Sequence, residues 1–168
     1  MLTSGPYLLR PLLPSDHAFL REMLYQSLYV PPGAPPFPRH VLDDPKIARY
    51  VRDWGRPGDA GLIALDRDRP VGAAWARLLP AAEPGFGYVD DQTPELGVAV
   101  DAEYRGRGIG TALLRELAAG LAGRYPAVSL SVSHDNPALR LYERLGFRIV
   151  GEDDGGSLVM IKRFAPPA

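Results

Sequence analysis

The stretch from Glu95 to Leu121 constrains the fold more than any other. An apolar run, Glu95-Leu96-Gly97-Val98-Ala99-Val100, leads into Arg105-Gly106-Arg107-Gly108-Ile109-Gly110, and this turn opens directly into an apolar-periodic segment, Thr111 to Leu121. The pattern reads as strand, glycine turn and helix. Backbone N–H groups at a helix start lack partners and the helix dipole favours negative charge there, so the turn is a ready anion site. Arg105 and Arg107 add cations beside it. A phosphate-bearing ligand is the first expectation.

Three readings of the turn compete. A P-loop needs Lys-Ser/Thr after its last glycine, whereas Gly110 is followed by Thr111 and Ala112. A dinucleotide fingerprint belongs near the start of a βαβ unit with wider glycine spacing; here two strands upstream read as a hairpin. A plain tight turn needs positive φ and nothing more. Three alternate glycines and two arginines at a helix start exceed that requirement.

The rest of the chain organises around this unit. Tyr7 to Arg10 reads as a strand. A helix follows from Pro14-Ser15-Asp16, with Ser15 or Asp16 as N-cap, to about Ser27. Val30 to Pro38 is too rich in proline for helix or inner strand and reads as an ordered loop. A second helix is expected from Pro45 to about Trp54, with Ile47, Tyr50, Val51 and Trp54 on one face. Ala60–Leu65 and Pro70–Leu78 form a hairpin. Pro80 to Asp91 is irregular, with a short strand near Gly87-Tyr88-Val89. The central strand, Pro94–Val100, and a helix from Gly108 to about Arg124 come next. Val128–Val132 is a strand, Asn136–Leu145 a helix stopped by Gly146, and Phe147–Val150 with Leu158–Arg163 a closing strand pair. The order β-α-α-β-β-β-α-β-α-β-β predicts a mixed α/β (α+β) fold: a central mixed, mostly antiparallel sheet with helices on both faces. No linker divides residues 1–168, so one domain is expected.

Composition excludes several classes. The chain has 168 residues, 46% hydrophobic and 23% charged, with a net charge of -1. That balance gives no support for nucleic-acid binding. No apolar run approaches the roughly 20 residues of a membrane helix, and no signal peptide is visible. With no cysteine there is no disulfide, thiolate metal site or cysteine nucleophile. A cytoplasmic setting is compatible with this. His17, His40 and His134 form no metal-ligand spacing, so no metal is expected.

A second constellation, His134 to Phe147, runs from a strand end into the last helix. It carries Asn136 and then Leu141-Tyr142-Glu143-Arg144-Leu145-Gly146-Phe147. With Arg105, Gly108 and Gly110 after Val98-Ala99-Val100, these two motifs, in this order, make the chain resemble the GCN5-related N-acetyltransferases, the GNAT superfamily. The motifs cover about Pro94 to Val150, and the upstream element order agrees with that family.

The resemblance implies acetyl-CoA as cosubstrate and transfer of its acetyl group to a primary amine of a small molecule or peptide. It places the pyrophosphate on Arg105, Gly106, Arg107, Gly108, Ile109, Gly110 and Thr111. It places the pantetheine arm on backbone groups of Val98, Ala99 and Val100, with the Val98 N–H stabilising the oxyanion. Tyr142 matches the general acid that protonates the departing thiolate. Asn136 matches a cofactor-contacting asparagine and is equally suited to cap the last helix before Pro137. Counted back from Tyr142, however, Asp135 takes that slot. For the base, Glu95 lies near the family's strand glutamate, acting directly or through a water; His134 is an alternative. The acceptor groove is expected from Leu24–Pro38, Glu83–Asp91 and Asp153–Ser157, with Asp90, Asp91 and Glu95 as an acidic mouth. The alternative function is a non-catalytic CoA-binding sensor or interaction module of the same fold. A homodimer is an open option, since dimers are common among such proteins.

Overall fold

A computed structural model describes residues 2–166; residues 1, 167 and 168 of the expected domain lie outside that range. Eight strands form one sheet: β1 (Leu2–Ser4), β2 (Tyr7–Pro11), β3 (Ala60–Asp66), β4 (Arg69–Arg77), β5 (Glu95–Val100), β6 (Ala127–Val132), β7 (Arg148–Glu152) and β8 (Leu158–Arg163). Their spatial order is β1-β2-β3-β4-β5-β6-β8-β7. The helices are α1 (His17–Ser27), α2 (Pro45–Ala48), α3 (Ile109–Leu121) and α4 (Ala138–Arg144). The expected mixed, mostly antiparallel sheet with helices on both faces is observed. β1, which the sequence reading did not include, extends one edge.

β4 lies at the centre, and every residue from Val71 to Arg77 is buried. Small residues are what that position admits: Ala73 packs toward one face, and Ala74 and Ala76 toward the other. On one face Leu20, Met23 and Leu24 of α1 meet Ile63, Ala73, Trp75 and Ala99. On the other, α3 presents Ile109, Leu113, Leu114, Leu117 and Leu121 at helical spacing to Ala64, Val71, Leu96 and Val128.

Between β5 and β6 runs the one parallel pairing among the described residues, and its register contains a single pair, Glu95↔Ser129. The crossover through α3 makes parallel order possible. After that bridge the two strands part. The opening lies at their carboxyl ends, where open α/β sheets place ligands.

Two sequence expectations need correction. The second helix is shorter than Pro45–Trp54; regular helix ends at Ala48 and turns continue to Asp53. Arg77 explains this. Its Nη1 takes the carbonyls of Arg49 (2.9 Å) and Arg52 (2.6 Å), which a longer helix would need for itself. Asp53 then adopts positive φ (54°). No strand forms near Gly87; the segment between β4 and β5 is irregular throughout because its polar groups bond to side chains of the cleft rather than to a neighbouring strand.

Arg77 and Asp59 are themselves a bidentate buried pair, Nε–Oδ1 2.9 Å and Nη2–Oδ2 2.8 Å, with side chains only 2% and 5% exposed. Removing one partner of such a pair leaves a buried charge unmatched. Arg77→Met should therefore cost about 3–5 kcal/mol of stability, read as a lower urea midpoint, and Arg77→Met/Asp59→Leu should recover part of that loss.

Candidate acetyl-transfer site

The glycine turn has the geometry an anion needs. Gly106 and Gly108 hold φ of 77° and 83°, and a Cβ added at either would meet nothing within 4 Å. Backbone conformation therefore demands glycine there, while the space above the turn stays open. Gly108 is the N-cap residue of α3 with no side-chain cap. Among the described residues, no acceptor engages the N–H groups of Gly106, Arg107, Gly108, Ile109, Gly110 or Thr111. Six donors at a helix start fit a pyrophosphate. Arg105 donates from Nε to the Val100 carbonyl (3.0 Å), and Arg107 bonds the Glu103 carbonyl (2.9 Å) while stacking on Tyr104. Both arginines are exposed and keep unpaired N–H groups for an anion.

The gap between β5 and β6 fixes which backbone groups a ligand meets. Ser129 N–H donates to the Pro94 carbonyl at 2.9 Å. Alternate residues of a strand aim their backbone groups to the same side, so Leu96, Val98 and Val100 face β6 while Glu95, Gly97 and Ala99 face β4. Beyond the single bridge, β6 has moved away from Val98 and Val100, and the Val98 N–H points into the gap. Ala99 differs: it turns to β4 and its side chain is buried against α1. An extended ligand in the gap would thus bond Val98 and Val100 rather than Ala99.

The gap opens into a cleft of about 980 Å³ that brings together Glu95, Val98, Asn136 and Tyr142. Asn136, not Asp135, lines it. Asn136 Oδ1 also accepts the Ala138 N–H (2.9 Å), capping α4 as the sequence suggested. Asp135 is exposed, with its carbonyl taken by Tyr29. His134 is exposed and does not itself line the cleft, though it stands 3.4 Å from Glu152, which does. Tyr142 packs edge-on to Phe147 at 5.9 Å. Burial of its phenol pushes the pKa up to about 12, and no hydrogen bond offsets this.

Glu95 is the most constrained residue of the cleft. It is not a surface glutamate but 2% exposed. Oε1 accepts from Tyr50 Oη (3.0 Å) and from the Gly87 N–H (2.7 Å), and Oε2 is buried with no hydrogen-bond partner among the described residues. Desolvation is the largest influence and raises its pKa, against the opposing pull of the Gly87 backbone, Tyr50, the Gly85 backbone and Arg49. Tyr50 in turn accepts the Phe86 N–H (2.7 Å), and burial holds its phenol protonated. Gly85 packs so tightly here that a Cβ would collide with the Glu95 carboxylate and the Tyr50 hydroxyl. Sequence reasoning placed Tyr50 on an apolar helix face and missed this role. The available signal was a tyrosine within a buried stripe, whose hydroxyl must find a partner.

The expected acidic mouth is also corrected. Asp90 and Asp91 are exposed and outside the cleft; Asp91 accepts from the Ala81 N–H (2.9 Å) and Tyr88 (2.8 Å), and Asp90 from the Gln92 N–H (2.9 Å). One oxygen of each carboxylate is engaged by the segment's own bonding, and neither residue lines the cleft. The acids that line the cleft are Glu95 and, from the β7–β8 hairpin, Glu152, Asp153 and Asp154.

The model of the acetyltransferase (GNAT) family matches residues 21–147. The chain belongs to this family. It is 40% identical over 104 residues to a mycothiol acetyltransferase of Thermomonospora curvata, covering 60% of this chain and 31% of that protein. It is 40% identical over 67 residues to a spermine/spermidine N(1)-acetyltransferase of Bacillus subtilis, covering 38% and 44%. The chain thus spans less than half the length of these curated relatives. Among solved structures, PaiA N-acetyltransferase from Thermoplasma acidophilum in complex with coenzyme A superposes with a TM-score of 0.67 at 18% identity, covering 94% of this chain and 99% of that one. At that identity the likeness establishes the fold. No helix among the described residues is long and apolar enough to cross a membrane, and no metal-binding cluster occurs among them.

The raised pKa of Glu95 has a stability consequence. The folded state holds its proton more tightly than the unfolded chain, so the stabilisation is present at low pH and is lost as pH rises through the folded value. Glu95→Gln should therefore raise the melting temperature relative to wild type at pH 8, and the gain should shrink steadily toward pH 4.

Proposed function

We propose that the chain is an acetyl-CoA-dependent N-acetyltransferase that moves the acetyl group directly to a primary amine within a ternary complex. One observation carries this reading: Glu95, the inward N–H of Val98 and Tyr142 meet in a single cleft at the β5–β6 gap. The glycine turn would hold the pyrophosphate of acetyl-CoA, and the thioester supplies the activated acetyl group.

Each group has a distinct task. An amine with a pKa of about 10.4 enters protonated and must lose a proton before attack. Glu95, kept basic by burial and with Oε2 unpartnered, takes that proton directly or through a water. The Val98 N–H, fixed by the β4 ladder, meets the oxygen on which negative charge develops. Tyr142 stays neutral and donates to sulfur as the C–S bond breaks. A phenol near 12 is a weaker acid than a free thiol of about 8.5. Donation therefore accompanies bond cleavage, while the sulfur carries charge in the same desolvated cleft. The mycothiol and polyamine acetyltransferase relatives act on different amines, so they support the reaction type and not one acceptor.

The decisive assay follows free thiol release from acetyl-CoA with an amine panel. Release with at least one amine is expected. Thermal stabilisation by acetyl-CoA with no release from any amine would instead assign a binding module. Tyr142→Phe should lower kcat at least tenfold with cofactor affinity nearly intact. Glu95→Gln should lower kcat/KM by about 10²–10⁴-fold and remove the acid limb of the pH profile. In wild type that limb should lie above the ordinary glutamate range, because burial raises the group that must ionise.

A further inference from the structure

Two cations on the cleft wall have no task in the transfer step. Lys46 of α2 and Arg49, one turn further on, both line the cleft. Among the described residues neither lies within ion-pair distance of a carboxylate, whereas the neighbouring Arg39, Arg52 and Arg56 each have one. Arg49 is held by neutral groups only: Nε bonds the Pro45 carbonyl (3.0 Å) and Nη1 the Pro84 carbonyl (2.7 Å). Its guanidinium is thereby positioned without a carboxylate in ion-pair contact, although its charge is felt by Glu95, and Nη2 has no acceptor among the described residues. Lys46 Nζ likewise makes no hydrogen bond among the described residues, and only its backbone is engaged.

These cations are too far from the glycine turn to serve the cofactor's phosphates. They stand at the Glu95 end of β5, and the turn follows the opposite end, a strand length on the order of 20 Å away. Across the cleft the hairpin contributes carboxylates. Asp153 is committed to its own turn, accepting from Gly155, Ser157 and Ser131, and Glu152 faces His134. Asp154 and the floor carboxylate Glu95 remain. Positive charge therefore stands on one wall, with negative charge on the other and at the floor. A polyamine would be attracted by the acids and repelled by Lys46 and Arg49. A zwitterion suits both walls.

We propose that Lys46 and Arg49 form a carboxylate subsite, making the acceptor an amine that also carries a carboxylate, as an amino acid does. The proposal rests on the acetyl-transfer reading of the same cleft. Arg49 supplies a planar fork for bidentate binding and Lys46 a mobile point charge at the rim. With the carboxylate held there, the amine is directed toward the unpartnered Glu95 Oε2.

The test compares the twenty amino acids with their α-amides as acceptors, alongside spermidine. At least one acid should exceed its amide tenfold or more in kcat/KM. Lys46→Glu should erase that preference, chiefly through KM. Lys46 is exposed and its side chain makes no hydrogen bond or ion pair among the described residues, so this variant should keep the wild-type melting temperature. A second readout needs no turnover: calorimetric titration of N-acetyl amino acids and their amides into the CoA-loaded protein. Tighter binding of an acid, lost in Lys46→Glu, supports the subsite. Equal binding of every acid and amide overturns it, as does a preference for spermidine. Acid-selective binding without thiol release from any amine overturns the transfer reading while leaving the subsite in place.

Discussion

The separation of β5 and β6 after one bridge is the constraint on which the rest of the molecule depends. A sheet that continued to pair would bury the backbone groups of Val98 and Val100 in a ladder and close the cleft. Because only Glu95 and Ser129 pair, those groups are left facing open space at the sheet's centre. The neighbouring strands compensate. β5 pairs with β4 along its whole length, and β6 pairs with β8 along its own. The two halves of the sheet are thus separately satisfied and can part. α3 spans them from one face, joining the strands that diverge and setting its N-terminus at the end of the gap.

A second chain of contacts runs from the core to the floor of the cleft. The buried Arg77–Asp59 pair draws in the carbonyls of Arg49 and Arg52. That shapes the turn carrying Tyr50, whose hydroxyl ties Glu95 to the Phe86 backbone. Gly85 and Gly87 let the same segment lie against the carboxylate and against β6. A glutamate with one oxygen buried and unpartnered is costly in isolation. Here the cost is borne by a network fixed on three elements, the arrangement that holds a reactive group basic and in place.

The sequence was most legible where local rules and tertiary demands coincide. The glycine turn was readable because positive φ, a helix start and close ligand approach all ask for glycine. The helical spacing of Leu113, Leu114, Leu117 and Leu121 and the alternation into hairpins were equally plain. The errors arose where long-range bonds overrode local pattern. Pro45 to Trp54 has helical periodicity, but Arg77, distant in sequence, claims its carbonyls. Asp90 and Asp91 look like an acidic patch, but the loop's own bonds hold them outside the cleft. Glu95, read from sequence as the candidate base at the start of a strand, carries no local sign of its burial, which only the fold supplies.

By itself the sequence determined most of the elements, the mixed sheet and the family, because these follow from periodicity and from two short motifs whose residues act through local geometry. Tertiary structure alone decided that Asn136 rather than Asp135 reaches the cleft, that Tyr50 holds Glu95, and that Lys46 and Arg49 line the same cleft as the hairpin's carboxylates. Those facts depend on which strands part and which helix ends early. Such outcomes are set by contacts between residues tens of positions apart, which no local pattern records.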